Sequence, residues 1–379
     1  MMLRLGKLWW VLLGLTASVS LAVAGDESSG FLQVTGPCNL EFPRDHAPHP
    51  GFRTEWWYWT GNLRSETGRH FGFQMTIFRY QLTPFGGAAE WPDPPSAWRT
   101  RQIYIAHAAV SDISAKRHLQ AERSGRSGPL GIAGWVQWGP DVTLYHRGWS
   151  AVIFPDLQKL VARGDDFSFE LDLKPLKPPV SHGVSGYSRK GSSPERASCY
   201  YSYTRLETSG TVTVAGKSMP VKGLSWMDHE FSTAPLEPGT VGWDWFSIQL
   251  ADKSEFMIYL LRMPDGGLNP ASSGTYVDSL GVPRHLDRSY FDVSVLDVWK
   301  SKASGAVYPS SWQIRIPLLG IDLVVTSNLP DQEMRTSEST GVTYWEGSVS
   351  AKGSKGGSPV EGQGYAELTG YAGPFAALK

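Results

Sequence analysis

The strongest constraint in this sequence is that it matches itself. Trp56-Trp57-Tyr58-Trp59-Thr60-Gly61-Asn62-Leu63 superposes on Trp243-Asp244-Trp245-Phe246-Ser247-Ile248-Gln249-Leu250, and in each copy a polar turn leads to a second apolar stretch ending at Arg79 or Arg262. The ends of the halves also correspond. Ser198-Cys199-Tyr200-Tyr201 followed by Gly223-Leu224-Ser225-Trp226 parallels Val342-Thr343-Tyr344-Trp345 followed by Gly364-Tyr365-Ala366-Glu367. Two like halves of this length are each expected to close on their own core.

Each half reads as antiparallel β structure. Strand-like runs bounded by Gly, Pro, Asn or Asp occur at 71–80, 166–174, 199–214, 241–262 and 311–327, and few windows read as helix. Phe167, Phe169, Leu171 and Leu173 alternate with Ser168, Glu170 and Asp172, the pattern of a strand with one wet face. Closure removes the exposed edges of such a sheet, so the expected fold is all-β, two tandem antiparallel barrels spanning 25–234 and 235–379. The junction falls at 232–239, where Pro235, Pro238 and Gly239 interrupt the pattern, and the Pro- and Gly-rich stretches 84–96, 175–193 and 353–364 read as loops.

Before the first barrel, Arg4 and Lys7 precede an apolar run from Leu8 to Leu21 and the small-residue site Ala22-Val23-Ala24, the pattern of a signal peptide over 1–24. The expected location is therefore periplasmic or secreted, cleaved after Ala24, with no stable membrane span afterwards. Cys38 and Cys199 are too few for a disulfide scaffold or a Cys-ligated metal; sequence leaves open whether they pair or stay separate thiols. Lys and Arg number 35 against 36 Asp and Glu, which gives no basis for nucleic-acid binding. The chain has no Gly-x-Ser-x-Gly, no phosphate loop after a strand, and only His46 and His49 as a close His pair, so no metal or cofactor is expected.

Residues that break the repeat are the candidates for chemistry, because scaffold residues should recur in both halves. Asp228-His229-Glu230 has no acid in the matching Thr369-Gly370-Tyr371, Glu55 corresponds to Gly242, and Asp244 to Trp57. In a strand Asp228 and Glu230 share one face and His229 takes the other. Buried among aromatic rings, such groups supply an acid of raised pKa, a base and an orienting partner. Asp228, His229, Glu230 and Asp244 are therefore the catalytic candidates. Trp57, Trp59, Trp243 and Trp245, with His107 from an apolar strand and Glu55, are candidates to line a pocket for an elongated apolar ligand or a cation. Core filling by the Trp residues and ion pairing by the acids are the competing structural roles.

The motifs Glu55-Trp56-Trp57-Tyr58-Trp59-Thr60-Gly61, Gly223-Leu224-Ser225-Trp226-Met227-Asp228-His229-Glu230-Phe231, Gly242-Trp243-Asp244-Trp245-Phe246, Tyr344-Trp345-Glu346-Gly347 and Gly364-Tyr365-Ala366-Glu367-Leu368-Thr369-Gly370-Tyr371 together resemble the AttH-like and carotenoid 1,2-hydratase-like family, grouped with predicted secreted hydrolases. The resemblance covers nearly all of 25–379 and implies two packed lipocalin-like barrels. It adds Tyr344 and Glu346 to the ligand-binding candidates. It implies a hydrophobic ligand, a terpenoid, polyene or lipid, held at the junction of the barrels, with acid-assisted hydration or hydrolysis. The alternative it implies is a non-catalytic carrier or accessory subunit of an ABC-type export system. In hydration a carboxylic acid protonates an alkene, aromatic faces stabilise the cation and water captures it; Asp228 is the candidate acid and His229 its partner. The sequence departs from the hydratase pattern where Phe231 replaces a Trp and Leu261 an Asp, so Asp228, Glu230 or Asp244 must substitute for that Asp.

Overall fold

The computed structural model describes residues 30–84, 96, 98–128, 130–234 and 236–373. The segment read as a signal peptide, Pro235 at the junction and most of 84–96 lie outside these residues. Helix among the described residues is confined to three short 3-10 turns, at Arg44–His46, Arg288–Tyr290 and Pro317–Leu319.

Two antiparallel sheets carry the fold, one from Thr54 to Ser232 and one from Gly242 to Leu368. In the first, the strands Arg117–Arg126, Gln102–Asp112, His70–Gln81 and Thr54–Ser65 form a meander. Thr54–Ser65 then pairs with Lys217–Ser232, and the order continues through Ala197–Val214 and Phe167–Pro175 to Ala133–Trp138. The second repeats the scheme: Ser273–Val277, Glu255–Arg262, Gly242–Leu250, Ser358–Leu368, Val342–Lys355, then Ile321–Ser327 and Val307–Ile316. Each sheet curls into a lipocalin-like barrel around its own apolar core. The first core holds Trp57, Trp59, Phe71, Phe73, Trp149 and Phe169; the second holds Phe246, Ile248, Trp312, Ile314, Leu323 and Trp345. The ends of the first sheet are stitched by Arg123, whose guanidinium reaches the carbonyls of His146, Arg147 and Arg163.

The matching faces of the two barrels pack together. A third apolar cluster, Tyr58, Tyr200, Trp226, Trp245, Met257, Tyr259, Leu261 and Tyr365, draws on both. Polar ties surround it: Asn62 Nδ2 donates to Gly364 O at 2.9 Å, and Gln249 Nε2 donates to Thr204 O and Ser225 O at 2.8 and 2.9 Å. Gly72 sits in the contact between the barrels. A Cβ there would lie 2.8 Å from Ser348 Cβ, which explains the absence of a side chain.

Two local expectations need correction, and one open question is settled. The 353–364 stretch is no loop but the tip of the hairpin joining Val342–Lys355 to Ser358–Leu368, because Gly353, Gly362 and Gly364 sit in the ladder and only Gly356 and Gly357 make the turn; a Cβ at Gly364 would be 1.9 Å from Ser247 O. The 175–193 segment contains two short strands, Val180–Ser181 and Tyr187–Arg189, both pairing with Ala197–Val214. Cys38 and Cys199 are joined in a disulfide that ties the N-terminal segment to this edge.

Candidate functional site

The strand alternation that builds the barrels also sorts the candidate residues. On Thr54–Ser65 the odd-numbered aromatics fill the first barrel, while Trp56 and Tyr58 face the second. Trp57 and Trp59, expected to line a ligand pocket, are therefore core: Trp57 stacks on His229 with ring centroids 4.5 Å apart, and Trp59 Nε1 donates to Gln158 Oε1 at 2.7 Å. His229 follows them inward, so it does not act with Asp228. Its Nε2 lies 2.8 Å from Glu55 Oε1 and its Nδ1 3.0 Å from the Tyr201 hydroxyl.

Glu55 is the centre of this inner network. Arg79 Nε donates to Glu55 Oε2 at 2.8 Å, and His49 Nδ1 lies 2.7 Å from Oε1. Burial would raise the Glu55 pKa, but the charges of Arg79 and His49 hold it well below the ordinary value. Burial likewise pushes His49 down, yet Glu55 and Asp45 outweigh it and leave His49 raised. His49, Glu55 and His229 present ligand atoms within 4.8 Å of one another. All three are already engaged, and the Arg79 guanidinium supplies the positive charge Glu55 requires. His46, paired with His49 in sequence, points elsewhere, to Tyr201 at 2.7 Å and Tyr203 at 3.2 Å. This cluster anchors the N-terminal segment in the barrel mouth.

Asp244 is also on the wrong face. Its neighbours Trp243 and Trp245 face the first barrel, whereas Asp244 forms an ion pair with Arg262 at 3.0 Å and accepts from the Tyr371 hydroxyl at 3.0 Å. Burial raises its pKa to about 6 against those two partners.

Between the barrels lies a cavity of about 920 Å³. Its walls include Trp56, Tyr58, Phe78, His107 and Tyr200 from the first barrel and Trp243, Trp245, Tyr259, Leu261 and Tyr344 from the second. Asp228, Glu230, Glu346 and Glu367 carry carboxyls into it, and Lys190 is a buried cation at its wall. Glu55 borders the same space but turns its carboxylate to the inner network. His107 is held between the Tyr344 hydroxyl and Ser339 Oγ, each at 2.9 Å, and burial lowers its pKa to about 3, so it is neutral.

The strand register corrects the expectation that Asp228 lacks a counterpart. Asp228 is paired opposite Tyr58, and Glu367 opposite Trp245, the residue matching Tyr58 in the repeat. Glu367 is thus the second-half equivalent of Asp228, two residues earlier than alignment on Thr369 suggests. On the next strand, Ser202 faces Asp228 and Glu346 faces Glu367. The cavity is a pseudo-symmetric space with an acid from each barrel.

The environments of these acids differ. Asp228 accepts from Ser202 Oγ and, at 2.6 Å, from Trp226 Nε1. Burial pushes its pKa up to about 7, with those donors and Tyr200 pulling the other way. Glu367 is raised to about 7 by burial and by the charges of Asp228 and Glu230, against a donor from Trp243. Glu346 is raised well above the ordinary value by burial and by Glu367. Its Oε1 and the Tyr58 hydroxyl have no well-formed hydrogen-bond partner within the described residues, leaving polar capacity for a guest. Glu230 is tied to Ser198 Oγ and, at 3.3 Å, to Lys190 Nζ, which also lies 4.0 Å above the Tyr259 ring. Burial lowers the Lys190 pKa but the Glu230 charge overrides it, keeping the ammonium charged.

Fold and site together define a double lipocalin-like β-barrel protein with an aromatic, acid-bearing cavity between its barrels. The model of the AttH-like family matches residues 33–371, and the chain belongs to that family. The crystal structure of a protein assigned as AttH from Nitrosomonas europaea is 32% identical, with a TM-score of 0.78, covering 90% of this chain and 100% of that one. The structure of kievitone hydratase from Nectria haematococca shares the fold at 15% identity, with a TM-score of 0.64 over 92% of this chain and 97% of that one. In sequence, kievitone hydratase from Fusarium solani subsp. phaseoli is 24% identical over 223 residues, 56% of this chain and only 59% of the relative's own length. Among the described residues no helix is long and apolar enough to cross a membrane.

Proposed function

We propose that this protein binds an unsaturated hydrophobic molecule, a terpenoid, polyene or lipid, in the cavity between its barrels and adds water across a C=C bond. The observation that carries this reading is the pair of pseudo-equivalent acids, Asp228 and Glu367, each raised to about 7 in an aromatic enclosure. An acid–base pair near its midpoint at neutral pH contains both a proton donor and a proton acceptor.

Asp228 transfers its proton to one alkene carbon, leaving a carbocation on the other. The faces of Tyr58, Tyr200, Trp243 and Trp245 stabilise that cation. Water forms the new C–O bond and gives its surplus proton to Glu367. The product is the alcohol; Asp228 is left ionised and Glu367 neutral, and the cycle closes when both exchange protons with solvent. Glu346, whose pKa burial raises, and the Tyr58 hydroxyl beside it orient the water or a polar end of the ligand.

Export is part of the proposal: the Met1–Ala24 pattern and the Cys38–Cys199 bond both suit an oxidising periplasmic or secreted setting. The test is purification from the periplasm of a bacterial host, native mass spectrometry and organic extraction, followed by incubation with kievitone and with acyclic polyenes. A product heavier by one water, lost in Asp228→Asn with ligand still bound, is the expected result. Ligand retention with no hydration in any assay, equal in wild type and Asp228→Asn, would overturn the catalytic reading and favour a carrier delivering apolar cargo to an ABC-type exporter.

A further inference from the structure

Asp228 has a second route to water that bypasses the cavity. Ser202 Oγ, which donates to Asp228 Oδ1, lies 2.6 Å from His182 Nε2, and His182 Nδ1 lies 2.9 Å from Thr275 Oγ1. Thr275 lines a separate polar groove of about 540 Å³, walled by Asn39, Ser181 and Ser185 from the first half and by Pro283 and His285 from the second. That groove shares no lining residue with the interbarrel cavity. The chain Thr275, His182, Ser202, Asp228 therefore runs unbroken from one compartment to the other, crossing between the barrels at His182.

Every link suits proton transfer. His182 is fully enclosed, its ring tilted against that of Tyr200 with centroids 4.2 Å apart. Burial, reinforced by Lys190 and His285, holds its pKa well below the ordinary value, so the ring is neutral, with one nitrogen donating and the other accepting. With Asp228 ionised, Ser202 donates to Asp228, His182 Nε2–H donates to Ser202, and Nδ1 accepts from Thr275. Shifting each proton one bond along puts the Ser202 proton on Asp228, the Nε2 proton on Ser202 and the Thr275 proton on Nδ1; Thr275 recovers a proton from groove water. One proton enters, no atom is left charged along the way, and the imidazole ends in its other tautomer. At the groove end, His285 leaves Nδ1 without a hydrogen-bond partner among the described residues and sets Nε2 3.2 Å from Asp287, so titratable groups stand at the entrance.

We propose that His182 is the relay through which Asp228 exchanges its proton with the outer groove, so that the acid is reloaded while a ligand fills the cavity. The role assigned to Asp228 comes from the hydration reading above, but the relay itself is measurable without turnover, in protein whose interbarrel cavity is filled with a saturated long-chain alcohol so that exchange through cavity water is closed off. In infrared spectra of the whole protein, the carboxylic acid band that disappears in Asp228→Asn reports the protonated Asp228 side chain, and its shift after rapid mixing into D₂O gives the exchange rate.

Thr275→Val removes only the hydroxyl at the groove end and His182→Gln removes the tautomeric ring. Each is expected to slow that exchange about 100-fold or more, the low end of what a positioned proton-transfer group contributes. Thr275→Ser is expected to restore it, and imidazole added to His182→Ala should do the same in proportion to its concentration, neither of which a packing role would produce. Wild-type exchange in a folded Thr275→Val protein overturns the relay. If exchange slows as expected but no hydration is found with any substrate, the relay stands and the hydration reading falls.

Discussion

Asp228 and Glu367 are the same position of two barrels, one opposite Tyr58 and the other opposite Trp245, brought face to face across a single cavity. Because one is cast as proton donor and the other as acceptor, their losses should not add. Asp228→Asn and Glu367→Gln are each expected to lower kcat by about 100-fold or more with KM changed only a few-fold. The double variant should be little worse than the weaker single one. Additive losses in kcat, or a matching rise in KM, would show the two carboxyls acting separately or serving binding.

The same two carboxyls set the pH dependence of stability. Their folded pKa of about 7 lies above the ordinary values of 3.8 and 4.5, so the folded state binds protons that the unfolded chain releases. Their contribution is fully present below about pH 4 and is lost as pH rises through about 7. Glu55, held low by Arg79 and His49, works oppositely, contributing stability that is lost only in acid. The melting temperature should therefore fall between about pH 5 and pH 8, and Asp228→Asn should flatten that slope and raise the melting temperature at pH 8 by several degrees. A slope identical in wild type and Asp228→Asn would mean that the carboxyl ionises as freely in the fold as outside it.

The Glu230–Lys190 pair offers a separate check. Both groups are buried, and each is the other's countercharge. Lys190→Met should destabilise the protein by about 3–5 kcal/mol in urea unfolding, because it leaves Glu230 buried without compensation. Adding Glu230→Gln should recover most of that loss. If the double variant is no more stable than Lys190→Met, the ammonium is held by Tyr200 and Tyr259 rather than by Glu230.

How far the sequence discloses this site follows from what a linear pattern contains. The repeat and the period-2 alternation identify two antiparallel units and separate Asp228 and Glu230 from His229. They do not say which face of an all-aromatic strand is the barrel interior, since Trp56, Trp57, Tyr58 and Trp59 are apolar on both sides; only the packed structure assigns Trp57 and Trp59 to the core. Glu367 escapes because its equivalence to Asp228 is fixed by inter-strand register, which differs from the residue-type match by two positions and so keeps the same face. Lys190 and His182 lie in a segment rich in Ser, Gly and Pro, without periodicity to orient either side chain. Their positions are set by pairing to Ala197–Val214 and by the second barrel. The Cys38–Cys199 bond likewise depends on a spatial approach that a separation of 161 residues does not reveal.

The aromatic residues divide by the same rule, and this division can be measured. Trp57 has no exposed surface and packs on His229 inside the first barrel, whereas Trp243 is half-buried at the cavity wall. Trp57→Ala should therefore cost about 3–5 kcal/mol of stability, the usual toll of emptying a large core site, while leaving the affinity of the folded fraction for an extracted ligand nearly unchanged. Trp243→Ala should do the reverse, weakening ligand retention by about tenfold or more through loss of a ring face and its buried area, with a smaller change in stability. Denaturant unfolding and native mass spectrometry of the two variants, run side by side, separate these outcomes. If Trp57→Ala alone lost the ligand, the binding space would lie inside the first barrel and not between the two.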